Sequence, residues 1–144
     1  MSYNIAAFGA FDINSLGDML FPKALEIELR KRLVINNIIF FSPTSAQSAY
    51  SSDYKIFPYE RFEELHREYS FDAVIVGGGE LLHYDAINFK DIHGETISYQ
   101  NGRIWRYPVE MGKKHGLRLL FNSVGMQHDI TDKDKELLAG LAYI

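Results

Sequence analysis

The chain has 144 residues, 47% of them hydrophobic and 24% charged, with a formal net charge of −4. That is one domain's worth of globular protein, long enough to bury about two-thirds of its unfolded surface, and its mild acidity argues against a nucleic-acid or anionic-membrane surface. The absence of cysteine excludes disulfides, thiolate metal sites and a cysteine nucleophile, and is compatible with a reducing cytoplasm.

The chain opens on Met1, Ser2, Tyr3 and Asn4 without a basic segment and long apolar core, so no signal peptide is expected. No apolar run reaches the ~18 residues of a membrane span. Residues 3–8 form a short apolar run closed by Gly9 and read as the first strand. Residues 9–18 are rich in Gly, Asn, Asp and Ser, which make turns and cap helices. Asp18 is expected to N-cap a helix reaching to about Lys31 or Leu33, with Pro22 in its first turn. Phe21, Ala24, Leu25, Leu29 and Leu33 form its inward stripe, and Glu26–Arg30 and Glu28–Arg32 are exposed i,i+4 pairs.

Asn36 and Asn37 read as a turn, residues 38–41 as a second strand, and Ser42-Pro43 as its end. Strand, helix and strand make a βαβ unit with a right-handed crossover. Residues 44–53 are small, polar and serine-rich, a surface loop. Residues 54–57 read as a short edge strand stopped by Pro58. Residues 59–69 read as a short amphipathic helix with Phe62, Leu65 and Tyr69 inward.

The stretch 71–83 is the organising feature. Val74, Ile75 and Val76 run into Gly77-Gly78-Gly79, and then into Glu80 and His83. A β-branched run ended by glycine suits the central strand of a parallel sheet. Glycines at such a strand end allow a backbone to approach a ligand closely and allow positive φ. Downstream, residues 80–89 read as a helix and 90–101 as irregular. Residues 105–115 read as a helix containing Pro108 and capped by Gly116, and 117–124 as a strand ending at Gly125. Thr131, Asp132, Lys133 and Asp134 resemble a capping box that opens a helix carrying Leu137, Leu138 and Leu141. His66, His93 and His115 read as solvent-facing or loop histidines. The apolar residues up to Ile144 read as a helix entering another strand, so the chain is expected to be the N-terminal portion of a longer protein.

The pattern implies an α/β fold, a three-layer Rossmann-like sandwich with a mostly parallel sheet. Residues that follow parallel strands collect at one sheet edge. Three segments therefore converge, bringing Asp12, Asn14, Ser15 and Asp18 from the first, Glu80 and His83 from the second, and Gln127 and His128 from the third. Carboxylates, amides and imidazoles beside glycine turns suit a polar ligand. Each also has a plainer role, Asp18 as a helix cap and Asn14 as a tie within its own loop. Glu80 and His83, at i,i+3, are an acid–base pair or a surface pair. A metal site needs more ligands than this spacing supplies. There is no G-x-G-x-x-G, no P-loop and no G-x-S-x-G, and no cofactor is expected.

Gly9-x-Phe11-Asp12-x-Asn14-x-x-Gly17-Asp18, followed by Leu20-Phe21-Pro22, resembles the amino-terminal signature of polysaccharide pyruvyl transferases. Residues 72–82 resemble that family's strand and triple-glycine turn, and Phe121-Asn122-Ser123-Val124-Gly125 its later strand-plus-glycine segment. The resemblance implies one half of a glycosyltransferase-B-type (GT-B) fold, with the site between two Rossmann-like domains. It implies transfer of pyruvyl from phosphoenolpyruvate to a glycan acceptor as a ketal, in a bacterial cytoplasm. Carried onto this chain, it puts Gly9, Asn14, Gly17, Asp18, Gly77, Gly78, Gly79 and Glu80 in the lining of the cleft. Asp18, Glu80 and His83 are then candidates for the base or for orienting the sugar, with His128 beside the substrate. A GT-B-like enzyme using a nucleotide sugar and a non-catalytic ligand-binding domain stay open as alternatives. The aromatic content of 14% is compatible with a homo-oligomer.

Overall fold

The structure, a computed structural model, describes residues 1–13, 15–43, 54–79, 87–90, 94–99, 103–122, 124–125, 129 and 131–139. Strand β1 (Tyr3–Phe8) leads to α1 (Leu16–Arg32), β2 (Ile35–Ser42) and β3 (Ile56–Pro58). A 3-10 turn at Tyr59–Arg61 precedes α2 (Phe62–Tyr69) and β4 (Ala73–Gly77). Strands β5 (Ile87–Lys90) and β6 (Thr96–Tyr99), then α3 (Arg103–Lys114), β7 (Arg118–Asn122) and α4 (Asp132–Leu138), complete the order.

Five strands form one all-parallel sheet in the order β3-β2-β1-β4-β7. Taken by their succession along the chain, these strands lie third, second, first, fourth, fifth. This is the strand order of a Rossmann-like sheet, and it reverses direction between β1 and β4. Period-2 alternation along β1 builds two cores. Ala6 and Phe8 face Phe62 and Leu65 of α2 and Ile104, Trp105 and Val109 of α3. Ile5 and Ala7 face Leu25 of α1, with Phe21 and Leu29 packed alongside. The sheet is thus covered on both faces, which is why β1 and β4 read as unbroken apolar runs. The three-layer α/β class expected from the pattern is present. β5 and β6 form a separate antiparallel hairpin that pairs Ile87 with Tyr99 and Phe89 with Ile97.

Several expectations need correction. Asp18 is not the N-cap of α1; Ser15 holds that position, without a side-chain cap bond, and Asp18 lies in the first turn. Pro22 therefore sits inside the helix, where it denies the Asp18 carbonyl its usual donor. Ala24 and Leu33 are exposed, and Met19 and Pro22 are buried in their place. Leu16, Leu20 and Ile27 are exposed on the outer side of the same helix. Asn36 and Asn37 are not a turn but part of β2, where Asn37 Nδ2 donates to Asn4 Oδ1 at 2.9 Å across to β1. Residues 87–89 are strand rather than helix, and 96–99 are strand rather than irregular. His66 and His115 are half-buried and lie against each other.

Other local readings hold. Arg30 and Arg32 pair with Glu26 and Glu28. Gly116 takes a φ of +65° beyond α3. Thr131 caps α4 through its side chain, which accepts the Asp134 N–H. Among the described residues no helix is long and apolar enough to cross a membrane.

Phe8 is fully buried and its ring stacks on Phe41 at 4.7 Å between centroids. Phe8→Ala is expected to lower unfolding free energy by about 3–5 kcal/mol in urea titration. Leu20→Ala, on the outer face of α1, should change it by less than about 0.5 kcal/mol.

Candidate functional site

The reversal of strand order places the carboxyl ends of β1 and β4 side by side, and this is where open α/β sheets receive ligands. Gly9 follows β1. Its N–H donates to Phe41 O at 3.1 Å, continuing the pairing with β2. Its carbonyl accepts from Ser42 Oγ at 3.0 Å and from Tyr59 OH at 3.4 Å. Ser42 Oγ in turn accepts the Phe11 N–H at 2.8 Å. One buried hydroxyl therefore fixes the departure of the loop from β1.

A Cβ at Gly9 would lie 2.4 Å from the Phe11 ring and 2.6 Å from the Gly77 carbonyl oxygen. The first and second segments thus touch. At Gly77 a Cβ would meet Phe21 Cζ at 2.4 Å and Asn122 O at 2.6 Å. Gly78, at φ +88°, lies under the same Phe21 ring. Phe21 also stacks on Phe11, at 5.8 Å between centroids. Gly9, Gly77 and Gly78 are all buried; the missing side chain at Gly9 lets its own loop pack on Gly77, and those at Gly77 and Gly78 serve the close approach of α1 to the sheet end. The third segment joins through Gly125 N–H, which donates to Gly79 O at 3.0 Å.

Gly79 differs from the two glycines before it. It is exposed, has φ +78°, and a Cβ there would lie 2.8 Å from Asp18 Oδ1. Asp18 is half-buried in the first turn of α1. A carboxylate from the first segment and an exposed glycine from the second thus meet beyond the carboxyl ends of β1 and β4. Gly17 is exposed one residue earlier on α1, with open space around its Cα. Of the remaining candidates, Asn14, Glu80, His83, Gln127 and His128 lie outside the described residues.

Two buried groups lie next to this point, Asp12, which the pattern already placed among the converging polar residues, and Tyr59, which it did not. Asp12 is fully buried within the loop that follows Gly9. Tyr59 is buried beside it, and its hydroxyl is held well above the ordinary tyrosine range, first by burial and then by the Asp12 carboxylate. Tyr107 OH donates to Tyr59 O at 3.0 Å, tying α3 to the same point. Asp12 is visible in the sequence as part of a polar loop. Nothing in the sequence signals that Tyr59, 50 residues from Gly9, sends its hydroxyl to that carbonyl. Among the described residues no group of three or more His, Asp or Glu side chains could hold a metal ion.

Gly79→Ala should cost about 1–2 kcal/mol of stability through its positive φ. Gly77→Ala should cost more. Adding Phe21→Ala should restore only part of the Gly77→Ala loss, because Asn122 O still stands 2.6 Å from the new Cβ. Urea unfolding of the two single variants and the double variant measures this.

No protein-family model, curated protein or solved structure matches the chain.

Proposed function

We propose that the chain is the acceptor-binding half of a pyruvyl transferase, which forms a ketal between phosphoenolpyruvate and a pair of sugar hydroxyls on a glycan. The observation that carries this reading is the Asp18 carboxylate lying 2.8 Å from the Cβ position of exposed Gly79, at the switch point of the sheet. A carboxylate accepts hydroxyl hydrogen bonds, and a side-chain-free turn lets a sugar ring approach the backbone. The converging segments 9–18, 77–83 and 125–128 contain no Lys or Arg. Their chemistry suits a neutral diol better than a phosphate, which calls for charge-assisted donors. On this reading the donor's phosphate is held by basic groups of a second, similar domain, as the family resemblance implies.

The transfer needs two proton movements. An acid protonates C3 of phosphoenolpyruvate, which becomes the ketal methyl, while one sugar hydroxyl adds to C2 and gives its proton to a base. The second hydroxyl then displaces phosphate from C2 and loses its proton. The products are the cyclic ketal and inorganic phosphate. Asp18 is the candidate base or sugar-orienting group, and Glu80 and His83, which follow the three glycines in sequence, are candidates for the same roles.

The test is phosphate release by the intact gene product supplied with phosphoenolpyruvate and bacterial glycan precursors. Asp18→Asn and Glu80→Gln should each lower transfer by about 10²–10⁴-fold while circular dichroism stays unchanged. Phosphoenolpyruvate should also raise the melting temperature, and uridine-diphosphate sugars should not. Stabilisation by the nucleotide sugar instead would sink the pyruvyl-transfer reading in favour of a glycosyl transfer. Full activity in both variants would remove these two carboxylates from the mechanism.

A further inference from the structure

The opposite end of the sheet, where β4 begins, carries a second cluster of ionisable groups. His66 lies near the C-terminus of α2, and His115 directly follows α3. Their ring centroids are 4.5 Å apart. His66 stacks on Phe62 and Phe71, and its Nδ1 accepts the Phe71 N–H at 3.2 Å. A ring nitrogen that accepts a hydrogen bond carries no proton, so this contact belongs to neutral His66 with its hydrogen on Nε2. Glu63 Oε1 accepts from Lys114 Nζ at 2.6 Å and from His115 Nε2 at 3.1 Å.

The charged and titratable groups facing the pair are therefore Glu63 on α2 and Lys114 beside His115 at the end of α3. From the start of β4 the contribution is the Phe71 ring and backbone. Asp72, the next residue, is turned to β1, where its Oδ2 accepts the Asn4 N–H. Tyr69 stacks on the Phe71 ring and hydrogen-bonds through its hydroxyl to Glu68.

We propose that His66 and His115 form an acid-released latch, which holds the C-terminal ends of α2 and α3 against the start of β4 while His66 is neutral and lets go when both rings are charged. Protonation at His66 Nδ1 removes the acceptor of the Phe71 N–H. It also sets a second positive charge 4.5 Å from a charged His115, in a place already occupied by the Lys114 ammonium. Glu63 already serves two donors and offsets only part of this. Burial, and then the His115 charge, hold His66 below the ordinary imidazole range, while Glu63 acts in the opposite sense.

A histidine with a lowered folded pKa binds its proton more readily in the unfolded chain. The stability contributed by neutral His66 is complete above about pH 6.5, the unfolded value, and is lost as pH falls through the lower folded value. The latch is separate from the glycine turns and stands whether or not the proposed transfer is correct.

A histidine Cε1–H NMR titration of the intact protein, paired with thermal unfolding at about pH 7 and pH 5, tests the latch. His66 should titrate below about 6.5 in the wild-type protein. In His115→Gln its midpoint should rise by about half a unit or more, and the acid-induced drop in Tm should shrink. Glu63→Gln should move the midpoint down. A wild-type His66 midpoint at or above about 6.5 overturns the proposal without need of any variant. A midpoint indifferent to His115→Gln overturns it as well.

Discussion

The architecture depends on one close approach. The Phe21 ring of α1 lies on the Gly77-Gly78 turn so tightly that a Cβ at residue 77 would stand 2.4 Å from Cζ. Interiors are packed near the density of organic crystals, and an added methyl has nowhere to go unless a neighbour moves. Here one neighbour, the Asn122 carbonyl, belongs to the adjoining strand and cannot swing aside. The glycines are therefore required before any ligand is considered. Their lack of side chains sets how near the start of α1 comes to the sheet, and so where Asp18 stands. Gly79 alone combines positive φ, exposure and a carboxylate neighbour. The run of three glycines is thus not one feature. Its first two residues serve packing, and its last faces outward.

The same economy explains the aromatic content. Phe8 lies within 6.3 Å, centroid to centroid, of Phe41, Tyr59, Phe62 and Tyr107. These rings come from β1, β2, the 3-10 turn, α2 and α3, so one cluster joins the central strands to the layer that covers them. Tyr59 adds a polar function to the same cluster, since its hydroxyl reaches the Gly9 carbonyl. This internal packing accounts for Phe8, Phe41, Tyr59, Phe62 and Tyr107 without recourse to a subunit interface.

What could be read from the sequence divides along the range of the interactions. The buried runs of β1 and β4, the i,i+4 pairs of α1, Gly116 and the Thr131 cap are all local in sequence, and each appears where the pattern put it. Asn36-Asn37 misled because an isolated asparagine pair favours a turn. In the fold Asn37 is held by Asn4, 33 residues away. Asp18 misled because a cap and a first-turn acid look alike in sequence, and only the backbone reveals that Ser15 begins the helix. The convergence of residues 9–18 with the glycine turn follows from strand order and was legible. The burial of Gly77 and Gly78 beneath an aromatic ring was not, because it depends on Phe21, more than 50 residues earlier in the chain. The histidines misled for the same reason, since each sits among charged residues in sequence while their rings meet only when two helices end side by side.

The two ends of the sheet therefore have different chemical capacities. At the carboxyl end a glycine turn and a carboxylate meet on segments without Lys or Arg, above the buried Tyr59 hydroxyl that holds the Gly9 carbonyl. Such a surface can accept hydrogen bonds from hydroxyl groups and offer backbone contacts. Without Lys or Arg these segments bring no permanent cation to a phosphate, which calls for charge-assisted donors or an unencumbered set of backbone N–H groups. The N–H groups of Gly9, Gly78 and Gly125 already donate within the protein. At the amino end the reverse holds, with Lys114 and two imidazoles gathered around one carboxylate. A reaction that joins a phosphorylated donor to a neutral polyol at the carboxyl end must therefore bring its cationic groups from outside these converging segments. A reaction between two neutral partners would not need them. The presence or absence of such groups opposite Asp18 is the physical distinction between a phosphorylated donor, whether an enol phosphate or a nucleotide sugar, and a reaction between neutral partners.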